Sequence, residues 1–451
     1  MMELVAALCV ITTGIAWLGT YTRARRRGYL DLVDWFVATA GLLYGAAYIF
    51  VLFATERGDN PLWQHTIRPY RSFYWLPPVL GTMVVVAVWA GSALASAHIR
   101  QVRRACDSPL LNRQSPYRLT AWFALVAGIL SYWLYARAYG GFITLWLYVM
   151  IPSQRAAVNF WQMENPFTFL NRFGALTWFA ALLFFGLVLS QRSSPKRHIT
   201  DSIGLIIALP VALFILSTWT ARVFVASFFF LFIIAYLYWR RISLHWFVTA
   251  ILALFCIGTV TVWGVTVVLD PFKLEQNFLT FYAKEASFPT MSFFGAIERE
   301  DYRYFSDLIA TPLHFLPQRI LYGVLGLETA SDVNTRWFLG ERKGEGDVGY
   351  GIPVDFLTFG YMQAGVAGIV INGLLAGYLL SLLSCLVNSL SLSGVRSALY
   401  AYCSVMVAAL SVAYTDPAHI VRRNLHFFLG FAVLSLLSIL GKSETRGGSS
   451  P

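Results

Sequence analysis

Four arginines stand where a charged side chain is costly. Arg222 sits between two apolar runs, IGLIIALPVALFILSTW and VFVASFFFLFIIAYLYW, with Thr220 and Ala221 just ahead of it. No carboxylate is close by in sequence, so the charge calls for an anion or for a distant acid. Arg155 lies inside the apolar stretch FITLWLYVMIPSQRAAVNFWQM, Arg319 inside HFLPQRILYG, and Arg137 just ahead of Tyr139-Gly140-Gly141. Arg155 either points into a covered cavity or snorkels to the interface. A guanidinium keeps its charge when partly buried and presents a planar fork of donors to phosphate oxygens. The chemistry open to this set is to hold a lipid-linked phosphate or pyrophosphate.

The remaining charges concentrate between Leu269 and Ile352, which holds eight Lys/Arg and twelve Asp/Glu. Glu298, Arg299, Glu300, Asp301 and Arg303 alternate in sign, the pattern of a solvated helix laced with weak pairs, where alanine should be nearly silent. Arg319 belongs to a segment expected to rest on the membrane. NTRWFLGERKGEGDVGYG is glycine-rich and predicts a mobile lid carrying Arg336, Arg342, Lys343, Glu345 and Asp347. Asp355 falls at the mouth of the next apolar helix, and TDPAHIVRRNLH adds Asp416, His419, Arg422 and Arg423.

These residues need a scaffold, and composition defines it. The chain is 57% hydrophobic and 13% charged, with a mean hydropathy of +0.61, against roughly a quarter charged in soluble domains. Apolar runs long enough to cross a bilayer recur throughout, and backbone inside lipid must pair within its own helix. The expected fold is all-α and polytopic, with eleven helices at about 2–20, 33–54, 74–97, 119–136, 173–191, 202–219, 223–238, 246–269, 364–386, 398–414 and 425–440. The expected organisation is helices 1–8 over 1–269, a large external loop over 270–352, helices 9–11 over 353–440 and a disordered cytoplasmic tail over 441–451. Tyr139-Gly140-Gly141 opens a re-entrant or surface-lying segment near 140–163, because a full span there would reverse the downstream charge alternation.

The N-terminus lacks the basic region of a signal peptide, and its arginines follow the first apolar run. That places it outside and the C-terminus inside. Half of the 34 basic residues occupy six short loops with few acids, so the net charge of +11 reports topology and no nucleic-acid partner. None of the five cysteines falls in an external loop, so neither a disulfide framework nor a zinc site is indicated.

No Walker loop, GxGxxG, HExxH or GxSxG occurs in a usable context. The inner loops lack an acidic DxD motif for a cytosolic sugar nucleotide, and the outer acids are dispersed, with Glu298 and Glu300 the nearest to a metal pair. No metal and no cofactor are expected. The chain resembles the oligosaccharide repeat-unit polymerases, that is, the Wzy-type O-antigen or exopolysaccharide polymerases. The resemblance rests on Tyr139-Gly140-Gly141 followed by Arg155, on WTARVFVAS with Arg222, on the late loop with LPQRILYG, and on GIPVDFLTFGYMQAGVAGIVINGLLAG. It covers most of 119–385. The turn at Arg222 departs from the more usual Ser-Arg-Gly-like form, which bears on the turn residues and not on the arginine.

That resemblance implies an inverting, metal-independent glycosyltransferase with a GT-C-like bundle in the bacterial cytoplasmic membrane. Its donor would be an undecaprenyl-diphosphate-linked glycan, its acceptor the terminal sugar of a second lipid-linked unit, and its partners membrane lipid and a chain-length-regulating co-polymerase. Arg222, Arg155, Arg319 and Arg137 would hold diphosphate, Arg336 and Arg342 would line the substrate loop, and His419, Asp355 or Asp347 would take the acceptor proton. An O-antigen ligase shares the donor, and a flippase for lipid-linked sugars is the alternative of another class. The flippase lacks the inverted repeat it should show.

Overall fold

The computed structural model describes the chain except residues 61–62, 106–113, 151–164, 191–194, 220–221, 270–279, 281, 284–285, 317, 343–347, 349–350 and 447–451. For 99–105, 150, 195–198, 222–223, 255, 259, 261–269, 318–319 and 438–446 it describes backbone alone. Every regular element among the described residues is a helix. Eight are long and apolar enough to cross a membrane: Met2–Arg27, Leu32–Arg57, Leu76–His98, Ser115–Arg137, Leu170–Ser190, Ile199–Ser217, Phe356–Asn388 and Ser393–Ala413. Pro417–Arg423 and Leu425–Leu437, bent by 62°, make a ninth if they count as one span. Phe224–Arg240 and Leu244–Gly258 are shorter apolar helices. This is the build of a polytopic membrane protein. The last helix runs on to Arg446, so the start of the tail is helical rather than disordered.

The chain forms two compact units, each assembled from separated stretches. One comprises Met1–Arg103, Ser243–Ser384 and Ser404–Val421, the other Arg104–Ile242, Cys385–Cys403 and Arg422–Pro451.

In the first unit, Met2–Arg27 ends at Gly28, whose φ of 80° suits a left-handed cap that only glycine adopts cheaply. Leu32–Gly41 then starts with reciprocal capping by Asp31 and Asp34, and Arg23 and Arg27 pair with those two acids. Leu76–His98 packs on the later span through Gly373 and Gly377. A Cβ on Gly373 would meet Ala87 at 2.7 Å, and one on Gly377 would run into the carbonyl of Val88. Such close backbone approach through small residues is how helices associate where lipid leaves no hydrophobic drive. Gly365, Gly368, Gly373 and Gly377 recur in the sequence at spacings that allow such close helix packing.

The span Phe356–Asn388 is broken. Ala364 and Gly365 leave helical geometry, Gly365 at φ 61° and ψ −143°, a region in effect reserved for glycine. The short limb before the break lies against the one after it. A Cβ on Gly360 would sit 2.8 Å from the Ile369 Cα, and one on Gly368 would overlap the Gly360 carbonyl. The long helix expected from residue 364 thus begins where predicted, and a helical limb, Phe356–Gln363, folds back ahead of it.

The polar stretch before this limb is folded too. Phe288–Arg299 buries Met291, Phe293 and Phe294, and Tyr70 stacks on Phe294 at 5.0 Å. Ala330–Leu339 begins with a capping box between Thr329 and Asp332. Asn334, wholly buried, donates to Ser292 Oγ at 3.0 Å and to the Ile352 carbonyl at 3.2 Å. Ile352 N donates to Thr335 Oγ1 at 2.9 Å, and Ser331 N to Asp416 Oδ2 at 2.9 Å. The first half of the expected mobile lid is therefore a capped helix whose buried Asn334 and Thr335 are hydrogen-bonded, which is what fixes it in place.

Candidate functional site

Arg299 is the least expected feature of the first unit. It ends Phe288–Arg299, after which Glu300 turns the chain at φ 49°, and its side chain reaches Val333, Asn334 and Trp337 instead of lying along a wet helix face. Its guanidinium lies 5.6 Å above the Trp337 ring. Its polar contacts are long and neutral: the Val333 carbonyl at 3.4 Å, Asn334 Oδ1 at 3.3 Å and the Met362 sulfur at 3.8 Å. Burial lowers its pKa to about 10, with Asp301 pulling the other way. A half-buried cation whose hydrogen bonds all go to neutral groups has donors to offer an anion. Trp337 is the ring it stacks on; elsewhere in the same unit Tyr302 packs against Tyr361 at 6.1 Å, Tyr361 against Phe293 at 5.8 Å, and Tyr70 donates to the Glu298 carboxylate.

Arg303 behaves differently. Its fork grips Asp307 at 2.5 and 2.9 Å and also donates to the Glu328 carbonyl at 2.6 Å. Gln363 Nε2 donates to the same carboxylate at 2.9 Å. Burial would lower the Arg303 pKa, but the Asp307 pair outweighs it and leaves it raised. Of the alternating charges of 298–303, Glu298, Glu300 and Asp301 are exposed as expected, and the two arginines turn inward. We expect Arg303→Ala to destabilise the protein by about 3–5 kcal/mol, because it strands a buried carboxylate. Unfolding of the purified protein in detergent measures this, and a loss below about 1 kcal/mol, the value of an exposed pair, would return Arg303 to the surface class.

The expected site residues divide between the units. In the first, Asp355 is fully buried, and its carboxylate takes Tyr44 Oη at 2.8 Å, Leu357 N at 3.1 Å and the Thr358 hydroxyl. Tyr44 reaches it from a π-helical turn, Leu42–Ala47, inside the second span. With every oxygen engaged, Asp355 anchors the fold-back limb and is poorly placed to take a proton. His419 is exposed, on the helix Pro417–Arg423 that Asp416 caps through Ala418 N at 2.9 Å. Burial alone would raise the Asp416 carboxyl, but the charge of His419 and the amide bonds hold it below the usual carboxylate range. Arg336 grips Glu328 at 2.6 and 2.8 Å, and Arg342 pairs with the same carboxylate while lying 5.9 Å over the Tyr322 ring. These two arginines do converge, on an acid of the chain itself. Arg319 lies in Gln318–Gly323, its side chain outside the described residues, as is all of Asp347.

In the second unit, Arg137 closes the span Ser115–Arg137, exposed and 5.7 Å over Trp133. That is the posture of a side chain at a membrane interface. Gly140 and Gly141, at φ 86° and 113°, make the expected break. Phe142–Met150 then folds back, and Leu145 and Val149 share a buried cluster with Tyr132, Tyr135 and Ile215. Tyr132 Oη bonds Thr218 Oγ1 at 2.6 Å, at the end of the helix Pro195–Ser217. The helix leading toward Arg155 and the helix leading toward Arg222 are thus packed on each other. Arg155 itself lies outside the described residues, and Arg222 opens Arg222–Arg240 with its side chain outside them. Among the described residues no cluster of three or more His, Cys, Asp or Glu could hold a metal ion.

No protein-family model matches this chain, and neither the curated proteins nor the solved structures yield a match.

Proposed function

We propose that this protein is a membrane glycosyltransferase that polymerises undecaprenyl-diphosphate-linked oligosaccharide repeat units on the outer face of the cytoplasmic membrane. In this reading the bundle has eleven spans in a GT-C-like arrangement, with the N-terminus outside and the C-terminus inside. The observation that carries it is Arg299, an arginine hydrogen-bonded only to neutral partners and lying over the Trp337 ring in a folded, non-spanning part of an otherwise apolar chain. Aromatic faces suit sugar rings, whose C–H surfaces are apolar, and a guanidinium whose hydrogen bonds go only to neutral groups suits phosphate.

The acceptor hydroxyl attacks the anomeric carbon of the donor, the bond from that carbon to the diphosphate oxygen breaks, and undecaprenyl diphosphate leaves. The hydroxyl proton passes to a base, for which exposed His419 is better placed than the engaged Asp355. Donor and acceptor both carry a diphosphate, so the chemistry calls for more than one set of arginines. Arg299 is the candidate for such a group in the first unit, and Arg222 with Arg155 is a separate candidate in the second.

Deleting the gene and inspecting the surface glycan tests the function. A polymerase leaves caps of a single repeat unit. Loss of all capping would make the protein a ligase, and intermediates trapped facing the cytosol would make it a flippase.

A further inference from the structure

Between Tyr304 and Leu325 the first unit wears its polarity inside out. Asp307 and His314 are buried, at 3% and 4% exposure, and the Asp307 carboxylate turns inward to Arg303 and Gln363. Outward stand Ile309 and Val324 at 78% and 77%, with Tyr304, Phe315, Ile320 and Leu325 also exposed. The segment is a run of short helices, Ser306–Ile309, Thr311–Phe315 and Gln318–Gly323, none of them a candidate span. Its charged residues are only Asp307 and Arg319. Water would favour the opposite arrangement, because exposed apolar area is unfavourable at roughly 25 cal/mol per Å².

What covers this face follows from where the segment is tied. Arg303 N and Tyr304 N donate to the carbonyls of Met362 and Gln363 at 2.7 and 2.9 Å, directly ahead of the Ala364–Gly365 break. Beyond that break the span carries exposed Val366, Ile371 and Leu379, the flank of a helix that meets lipid. The apolar face thus starts at the end of a lipid-facing surface. We infer that 304–325 is an interfacial platform, lying in the headgroup–acyl boundary of the bilayer with Ile309 and Val324 in contact with lipid. Burial of such a face to a depth of about 5–10 Å is the usual habit of amphipathic surface segments. The inference rests on the membrane reading of the chain and not on polymerisation, so a failed glycan test leaves it standing. If the substrate is lipid-linked, the platform is where its hydrocarbon arrives beside the polar site.

The test is site-directed spin labelling of the full chain in liposomes, with Cys106, Cys256 and Cys385 replaced by serine and the buried Cys9 and Cys403 retained. Labels go on Ile309→Cys and Val324→Cys, with Leu379→Cys as the lipid reference and Glu341→Cys as the water reference. Collision with oxygen, which partitions into lipid, is compared with collision with a water-soluble nickel chelate. The platform gives an oxygen-to-nickel ratio near that of Leu379→Cys and several-fold above that of Glu341→Cys. A ratio matching Glu341→Cys at both sites overturns it in favour of a wet surface. Shielding from both reagents overturns it in favour of a covering protein. The two sites lie on different helical turns, so a labelled variant that fails to insert leaves the other to decide.

Discussion

Arg299→Ala will cut polymer formation about a hundred- to a thousand-fold while the protein stays in the membrane at its normal level. The magnitude is that of removing a donor that acts on charge developing in the transition state. The level should hold because Arg299 does little for the fold. Its contacts at 3.3–3.8 Å lie beyond good hydrogen-bond geometry, and a typical neutral bond contributes only about 0.5–1.5 kcal/mol net. Arg299→Lys keeps the charge and loses both the planar fork and the stack on Trp337, so it should restore little. The readout is the ladder of surface glycan in a complemented deletion strain, set against protein level in the same cells. Arg303→Ala is the contrasting control, expected to lose protein and not only activity. A normal ladder from Arg299→Ala would show that no substrate anion binds there. Loss of the protein itself would make Arg299 a structural residue.

The two arginines are four residues apart in a run that sequence alone presents as one solvated face. What separates them is long-range. Arg303 finds Asp307 one helical turn away, but its second partner, Glu328, comes from another helix boundary. Arg299 is defined by Val333, Asn334 and Trp337, more than thirty residues later. Charge alternation reports a local pattern and cannot register such packing.

Hydropathy, by contrast, finds the eight candidate spans among the described residues, because each must carry its own apolar run. The Gly-Gly break at 140–141 and the packing role of Gly373 and Gly377 were legible for a similar reason, since each depends on the residue itself. The fold-back at Ala364–Gly365 was not. The sequence places the start of the span at 364, but hydropathy gives no sign that the residues ahead of it form a helical limb running the other way. The helix Ala330–Leu339 was legible and was overlooked. Thr329 followed three residues later by Asp332 is a helix-start signal, and it outweighs the glycines that come only from Gly340 onward.

Arg222→Ala should abolish long polymer with protein level and membrane insertion unchanged. The argument begins in the sequence, where Arg222 has apolar neighbours on both sides and no acid close by. Packing in the second unit strengthens it. Phe142–Met150 lies on the end of the helix that precedes the Arg222 turn, through Leu145, Val149 and Ile215, so the chain reaches the Arg155 stretch and the Arg222 turn from one shared cluster. A hydrogen bond to a charged group contributes about 1.5–3 kcal/mol, and a diphosphate offers several acceptors to one fork. Arg222→Lys should therefore recover little, and the same two changes at Arg155 should behave alike. Single-turnover transfer with a lipid-diphosphate donor separates the roles. A donor-holding arginine lowers transfer at saturating acceptor, whereas a residue that only shapes the turn lowers protein yield instead. Normal polymer from Arg222→Ala would place the diphosphate elsewhere. A phenotype at Arg222 with none at Arg155 would break the pair and leave the shared cluster a matter of packing alone.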